Sequence, residues 1–128
     1  MLDHATVADL RRHWDEGWNA GDLAMIMAPF APDVVFSSPF VPRLTGDAGK
    51  VTIDGYDALR SYVDDALRHA PGIRYTVDAA YAGTDTLVLV YTYYPPGGTV
   101  GHGADSMRVN AAGKVVEWRC HYSPGSVT

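Results

Sequence analysis

Cys120 and His121 stand side by side in VVEWRCHYSPG, residues 115–125. A thiol beside an imidazole is the pairing of a nucleophile with its base. The flanking residues alternate between apolar and polar, and neighbouring positions of a strand face opposite ways. Trp118, Cys120 and Tyr122 then share one face, and Glu117, Arg119 and His121 the other. The two groups cannot meet within one regular strand, so Cys120 reads as a small hydrophobe on the buried face. The second group with chemical potential is Asp105, in ADSMRVNAAGKVV. Met107 and Val109 share its face. A carboxyl held among such residues has a raised pKa; it can donate a hydrogen bond to a developing oxyanion or work as an acid or base. The plainer reading is an aspartate at a hairpin end that caps a backbone turn.

Other polar groups are less specific. Tyr62, Tyr91, Tyr93 and Tyr122 can bring hydroxyls to a pocket, and aromatics with a polar tip are also ordinary core filling. Trp14 and Trp18 suit a core, although an indole N–H can donate one hydrogen bond. Ser38 is a strand-end hydroxyl. The five histidines are scattered and form no H-E-x-x-H, so no metal site is expected. His102 reads as a solvated loop residue in GGTVGHGAD, with Gly97, Gly98, Gly101 and Gly103 as turn glycines. That stretch opens no helix and is no phosphate loop.

The elements that must position these residues follow from pattern. Val7, Leu10, Trp14 and Trp18 make a helix stripe, with Asp3 or Thr6 as its start and Gly21 as its end. Asp22 caps a short second helix, closed by Pro29 and Pro32. DVVFSS reads as a strand ending at Pro39. The Pro- and Gly-rich stretch 39–55 reads as a long loop with a short strand at Lys50–Ile53. A helix from Tyr56 to Arg68 follows, capped by Asp54, with Leu59, Tyr62, Val63 and Ala66 inward. Four strands, separated by GTD, PPGGTVGHG and AAG, complete an antiparallel meander. On the strand before Pro95, the bulkier set Leu87, Leu89, Tyr91 and Tyr93 is placed inward. Helices first and strands last give an α+β fold: a cone-shaped, curved antiparallel sheet packed around an N-terminal helix, with one apolar pocket.

Composition narrows the partners. The 128 residues suit one domain, residues 1–128. A net charge of −5 leaves no basic footprint for nucleic acid or an anionic membrane surface. No apolar run approaches the ~20 residues of a membrane span. A single cysteine and no signal-peptide pattern point to the cytoplasm.

The order helix, WNAGDLAMIMAPFAPDVVFSSP, loop, helix and four strands ending DSMRVNAAGKVVEWRCHY resembles the nuclear transport factor 2-like superfamily. Within it, the chain is most similar to SnoaL-like polyketide cyclases and ketosteroid isomerases. The resemblance spans nearly the whole sequence and implies the cystatin-like α+β barrel. It also implies site roles, because the isomerases use an aspartate base and an oxyanion hole of a tyrosine and a protonated aspartate. The tyrosine position, seven residues before the glycine of NAGD, holds Trp14. The base position, just before a proline, holds Ser38. The oxyanion aspartate matches Asp105. Steroid isomerisation is therefore not expected.

The expected function is a cofactor-independent enzyme acting on an apolar, polyketide-like carbonyl compound. Its reaction would be proton transfer coupled to cyclisation, isomerisation or dehydration. Asp105 would be the acid or oxyanion stabiliser. Trp14, Ser38, Tyr62, Tyr91, Met107, Trp118, Cys120 and Tyr122 would contact the substrate. The alternative is a non-catalytic ligand-binding or dimeric interaction module of the same fold. The family's habit implies a homodimer, for which size-exclusion chromatography should give about twice the 13.8 kDa chain mass; a monomer mass would refute it.

Overall fold

The protein is described by a computed structural model covering residues 1–125; the expected domain's residues 126–128 lie outside the described residues. Helix α1 spans His4–Ala20 and α2 spans Leu23–Met27. The Asp3 carboxylate accepts the Thr6 N–H at 2.8 Å and starts α1, and Gly21 caps its end. Asp22 accepts the Met25 N–H at 3.1 Å and starts α2. These caps satisfy N–H groups that a helix start leaves without partners.

The remaining elements are β1 (Phe30–Ser37), α3 (Val41–Thr45), β2 (Thr52–Asp54), α4 (Tyr56–His69), β3 (Arg74–Ala82), β4 (Thr86–Tyr94), β5 (Gly101–Val109) and β6 (Val115–Tyr122). They form a curved six-stranded sheet in the order β2-β1-β6-β5-β4-β3. Strands β3 to β6 are the antiparallel meander, and β1 joins β6 in parallel, Val35 opposite Glu117. Leu87 and Leu89 of β4, Met107 of β5 and Trp118 of β6 face the same core as Leu10 and Trp14 of α1. Leu59 and Val63 of α4 close that core from the other side. The inward set on β4 is the one expected from bulk. The fold is the expected α+β class. Among the described residues, no helix is long and apolar enough to cross a membrane.

Several local expectations are corrected. Pro32 does not close α2 but lies within β1. The register shifts between Phe30 and Val35, so the ladder tolerates a residue with no N–H there. The stretch 39–55 is a loop with a short strand near its end, as expected, but its first half also holds the short helix α3, with Pro42 in the first turn, where a missing N–H costs nothing. Asp54 does not cap α4, because it ends β2 opposite Val35. The cap is Gly55, whose φ of 93° suits a residue without Cβ and whose N–H donates to the Val34 carbonyl at 2.8 Å.

Gly101 and Gly103 are not turn glycines. Both lie inside β5, opposite Tyr93 and Tyr91. A Cβ on Gly103 would fall 2.7 Å from the Tyr91 ring, and one on Gly101 would run into Tyr93. The glycines therefore let two aromatic rings lie flat across the neighbouring strand. His102 between them is a strand residue, not a loop residue. It faces outward, its Nδ1 3.2 Å from Thr92 Oγ1, and that hydroxyl donates to Asp78 at 2.7 Å.

Candidate functional site

The mouth of the curved sheet, closed by α1, α3 and α4, holds a cavity of about 650 Å³. Trp14 and Trp18 come from α1, Phe36 from β1 and Tyr62 from α4. Tyr75, Tyr91 and Tyr93 line the β3–β4 side; Trp118, Cys120 and Tyr122 line β6. Aromatic rings thus form much of the wall, and its tyrosines bring phenol hydroxyls to it.

Asp105 lies in this wall, 2% exposed. Strand register places it between Leu89 of β4 and Cys120 of β6. Two residues along β4, Tyr91 projects from the same face, and its hydroxyl donates to Asp105 Oδ1 at 2.9 Å. Trp118, two residues before Cys120, donates its indole N–H to Oδ2 at 3.0 Å. Trp14 reaches down from α1 and donates to the same Oδ2 at 2.9 Å. Three elements of the fold therefore converge on one carboxyl.

Burial raises the Asp105 pKa, against hydrogen bonds from Trp118, Trp14, Cys120 and Tyr91 that pull the other way. Two N–H donors already occupy Oδ2, so in the neutral acid the proton belongs on Oδ1, where it donates to the Tyr91 oxygen and reverses the bond that the Tyr91 hydroxyl gives the carboxylate. The Tyr91 phenol is itself pushed up, first by burial and then by the Asp105 charge, and stays neutral. Burial likewise pushes up Tyr122, with Cys120 and Asp105 nearby adding to the rise.

The raised pKa fixes a pH dependence. A carboxyl that holds its proton more tightly when folded makes the folded state the better proton binder. Its contribution to stability is then greatest below the unfolded value of 3.8 and is lost as pH rises through the higher folded value. The unfolding free energy of the wild type, minus that of Asp105→Asn, should fall across this window and level off above it. Chemical denaturation at a series of pH values measures the difference, and a difference independent of pH would refute the raised pKa.

The expected contacts are largely brought together. Trp14, Ser38, Tyr62, Tyr91, Trp118, Cys120 and Tyr122 all line the cavity. Met107 is the correction: it pairs with Trp118 and belongs to the closed core instead of the cavity wall. One alternate position further from Asp105 carries it beneath the aromatic layer. The Ser38 hydroxyl accepts the Phe40 N–H at 3.2 Å, which turns the chain after β1. Cys120 faces Asp105, but burial raises its thiol well above the ordinary value, so it is no nucleophile. His121 points the other way, its Nδ1 3.0 Å from the Ala104 carbonyl.

Sequence reading missed Tyr75, Phe40 and two arginines, Arg43 and Arg74, in the lining. Tyr75 lies on the inward alternation of β3 and could have been found by that pattern. The arginines carry no periodic signal. Among the described residues no cluster of His, Cys, Asp and Glu could hold a metal ion.

A family profile described as a SnoaL-like domain matches residues 10–118. A SnoaL-like protein of unknown function from Burkholderia thailandensis has a similar structure, with a TM-score of 0.82 at 24% identity; 96% of this chain and 99% of that one are covered. A nuclear transport factor 2-like protein of unknown function from Mesorhizobium loti superposes with a TM-score of 0.75 at 21% identity, covering 96% and 97% of the two chains. A protein of unknown function with a cystatin-like fold from Methylobium petroleophilum gives 0.73 at 24%, covering 98% and 81%. No curated protein matches the sequence. At these identities the structural likenesses establish the fold alone.

Proposed function

The chain belongs to the SnoaL-like domain family of the nuclear transport factor 2-like superfamily, and from that premise we propose that it is a small enzyme which moves a proton on a bulky, mostly apolar carbonyl compound. The reaction class is cyclisation, isomerisation or dehydration of a polyketide-like substrate. The observation that carries this reading is the buried Asp105 carboxyl with Tyr91 on its Oδ1, set in the wall of an aromatic cavity. A cavity of about 650 Å³ is within the usual range for a small-molecule site.

In this reading Asp105 acts through Tyr91. The substrate carbonyl oxygen accepts the Tyr91 hydroxyl proton as the Tyr91 oxygen takes the Asp105 proton. The substrate leaves this step as an enol once its α-proton has gone to water. Asp105 is left as a carboxylate whose Oδ2 is already held by two indole N–H groups. Those donors do not move during the step, which is the preorganisation that makes such groups effective. Ser38 is a very weak base, so the arrangement suits a carbon acid flanked by two carbonyls over an unactivated ketone.

Asp105→Asn and Tyr91→Phe should each lower kcat about a hundredfold or more, with KM little changed, as expected for a lost proton donor. Deuterium uptake from D2O at the α-carbon of bound ketones, followed by NMR, measures this without prior choice of product. Full turnover by Asp105→Asn would sink the mechanism. A non-catalytic ligand-binding role is the second reading, favoured by the three donors that already satisfy Asp105. Binding of ketones with no α-exchange in the wild type would select it.

A further inference from the structure

Apart from Asp105, Cys120 and the tyrosines, three ionisable residues line the cavity among the described residues: Arg43 of α3, His69 at the end of α4 and Arg74 at the start of β3. All three are nitrogen bases, and all are exposed. The chain as a whole has 15 acidic residues against 10 Lys and Arg, so chance alone would favour acids at this rim. The cavity is therefore polarised. Among the described residues, its one carboxyl is buried in the wall, and its solvent-exposed ionisable groups are bases.

The arginines are placed to use that charge. The Arg43 guanidinium carbon lies 5.6 Å from the centre of the Phe40 ring, a cation–π arrangement. Phe40 in turn packs edge-on against Tyr122, 4.7 Å between centroids, so the charge is seated on the cavity wall. Among the described residues, the Arg74 side chain makes no ion pair or hydrogen bond, whereas Arg12, Arg68 and Arg119 are each paired with carboxylates. An arginine fork matches a carboxylate in two parallel hydrogen bonds, and a cleft with low-dielectric walls strengthens the attraction.

We propose that the compound bound here carries a carboxylate at the end that stays at the opening, where Arg43 and Arg74 hold it. This rests on the reading of the cavity as a site for an apolar carbonyl compound. An aromatic wall supplies affinity but little orientation, because apolar burial is non-directional. A carboxylate fixed at the rim decides which end of the molecule goes inward. Its own charge keeps it away from Asp105 and leaves the carbonyl end to meet Tyr91.

Two probes with one apolar body separate the effects: 2-anthracenecarboxylate and the neutral anthracene-2-carboxamide. Trp14, Trp18 and Trp118 all line the cavity, so energy transfer from tryptophan to anthracene reports occupancy. The wild type should bind the carboxylate about tenfold or more tighter than the amide at low salt. The double variant R43Q/R74Q should bind both alike, with amide affinity unchanged. Equal affinities in the wild type, or a preference that survives in the double variant, would overturn the carboxylate assignment while leaving the cavity reading intact. If neither probe quenches tryptophan, the underlying reading of the cavity falls instead.

Discussion

Replacing Asp105 by leucine should remove about 3–5 kcal/mol of unfolding free energy, and replacing it by asparagine less than about 1 kcal/mol. The contrast follows from counting donors. In the leucine variant the Trp14 N–H, the Trp118 N–H and the Tyr91 O–H lose their acceptor together. Both tryptophans are at most 6% exposed, so water does not replace it. Each buried donor left unpaired costs roughly 1–3 kcal/mol, reduced here because the Tyr91 hydroxyl can turn elsewhere. Asparagine keeps all three. Its amide oxygen takes the place of Oδ2 beneath the two indoles, and its NH2 donates to the Tyr91 oxygen, which can accept. It also cannot ionise, so it lacks the loss of stability that the wild type shows as pH rises through the raised pKa of Asp105. Urea denaturation followed by circular dichroism, with unchanged slopes, reads both values. A leucine variant as stable as the asparagine variant would mean that the carboxyl does not hold these three side chains.

Gly103→Ala should cost about 2–4 kcal/mol, although it adds only one methyl group to a strand. The new Cβ would stand 2.7 Å from the Tyr91 hydroxyl and ring, contacts no real structure sustains. Tyr91 cannot simply retreat, because its ring packs 4.6 Å from Trp14 and is flanked by Tyr75 and Tyr93. Moving it breaks the bond to Asp105, so overpacking and a lost hydrogen bond act together. Gly101→Ala is the internal comparison. There the displaced ring is Tyr93, which is only partly buried and borders the open cavity. The Gly101 variant should therefore lose clearly less stability. Equal losses, or a Gly103→Ala loss below about 1 kcal/mol, would show that the flat lie of Tyr91 is not what the glycine provides.

Much of this arrangement can be read in the sequence, for identifiable reasons. The α1 stripe, its caps at Asp3 and Gly21 and the hairpin separators are local signals, and local signals survive into the fold. Period-two alternation put Asp105, Cys120, Trp118 and Tyr122 on one face, because hydrophobic burial leaves a strand no other choice. The failures are non-local. A proline is a strand breaker only where the ladder needs its N–H, and the register shift around Pro32 depends on β6. Gly101 and Gly103 read as turn chemistry in sequence because their use, an aromatic ring laid across from the neighbouring strand, exists only after pairing. The meeting of Trp14 and Trp118 on a single oxygen joins α1 to β6, and no spacing within either segment encodes it.

The parallel seam between β1 and β6 has a consequence for how the chain comes off the ribosome. The meander can pair strand by strand as it is made, each hairpin closing over a few residues. β1 is made early and has only the three-residue β2 to pair with until Val115–Tyr122 emerges. Until then its other edge presents free backbone groups, the feature that invites pairing with a stranger. Trp118 arrives on that same late strand, so the Asp105 cluster cannot be complete before that strand has been made. The nascent protein is thus most exposed to misassembly just before its cavity can exist, and the seam that closes the sheet also completes the site.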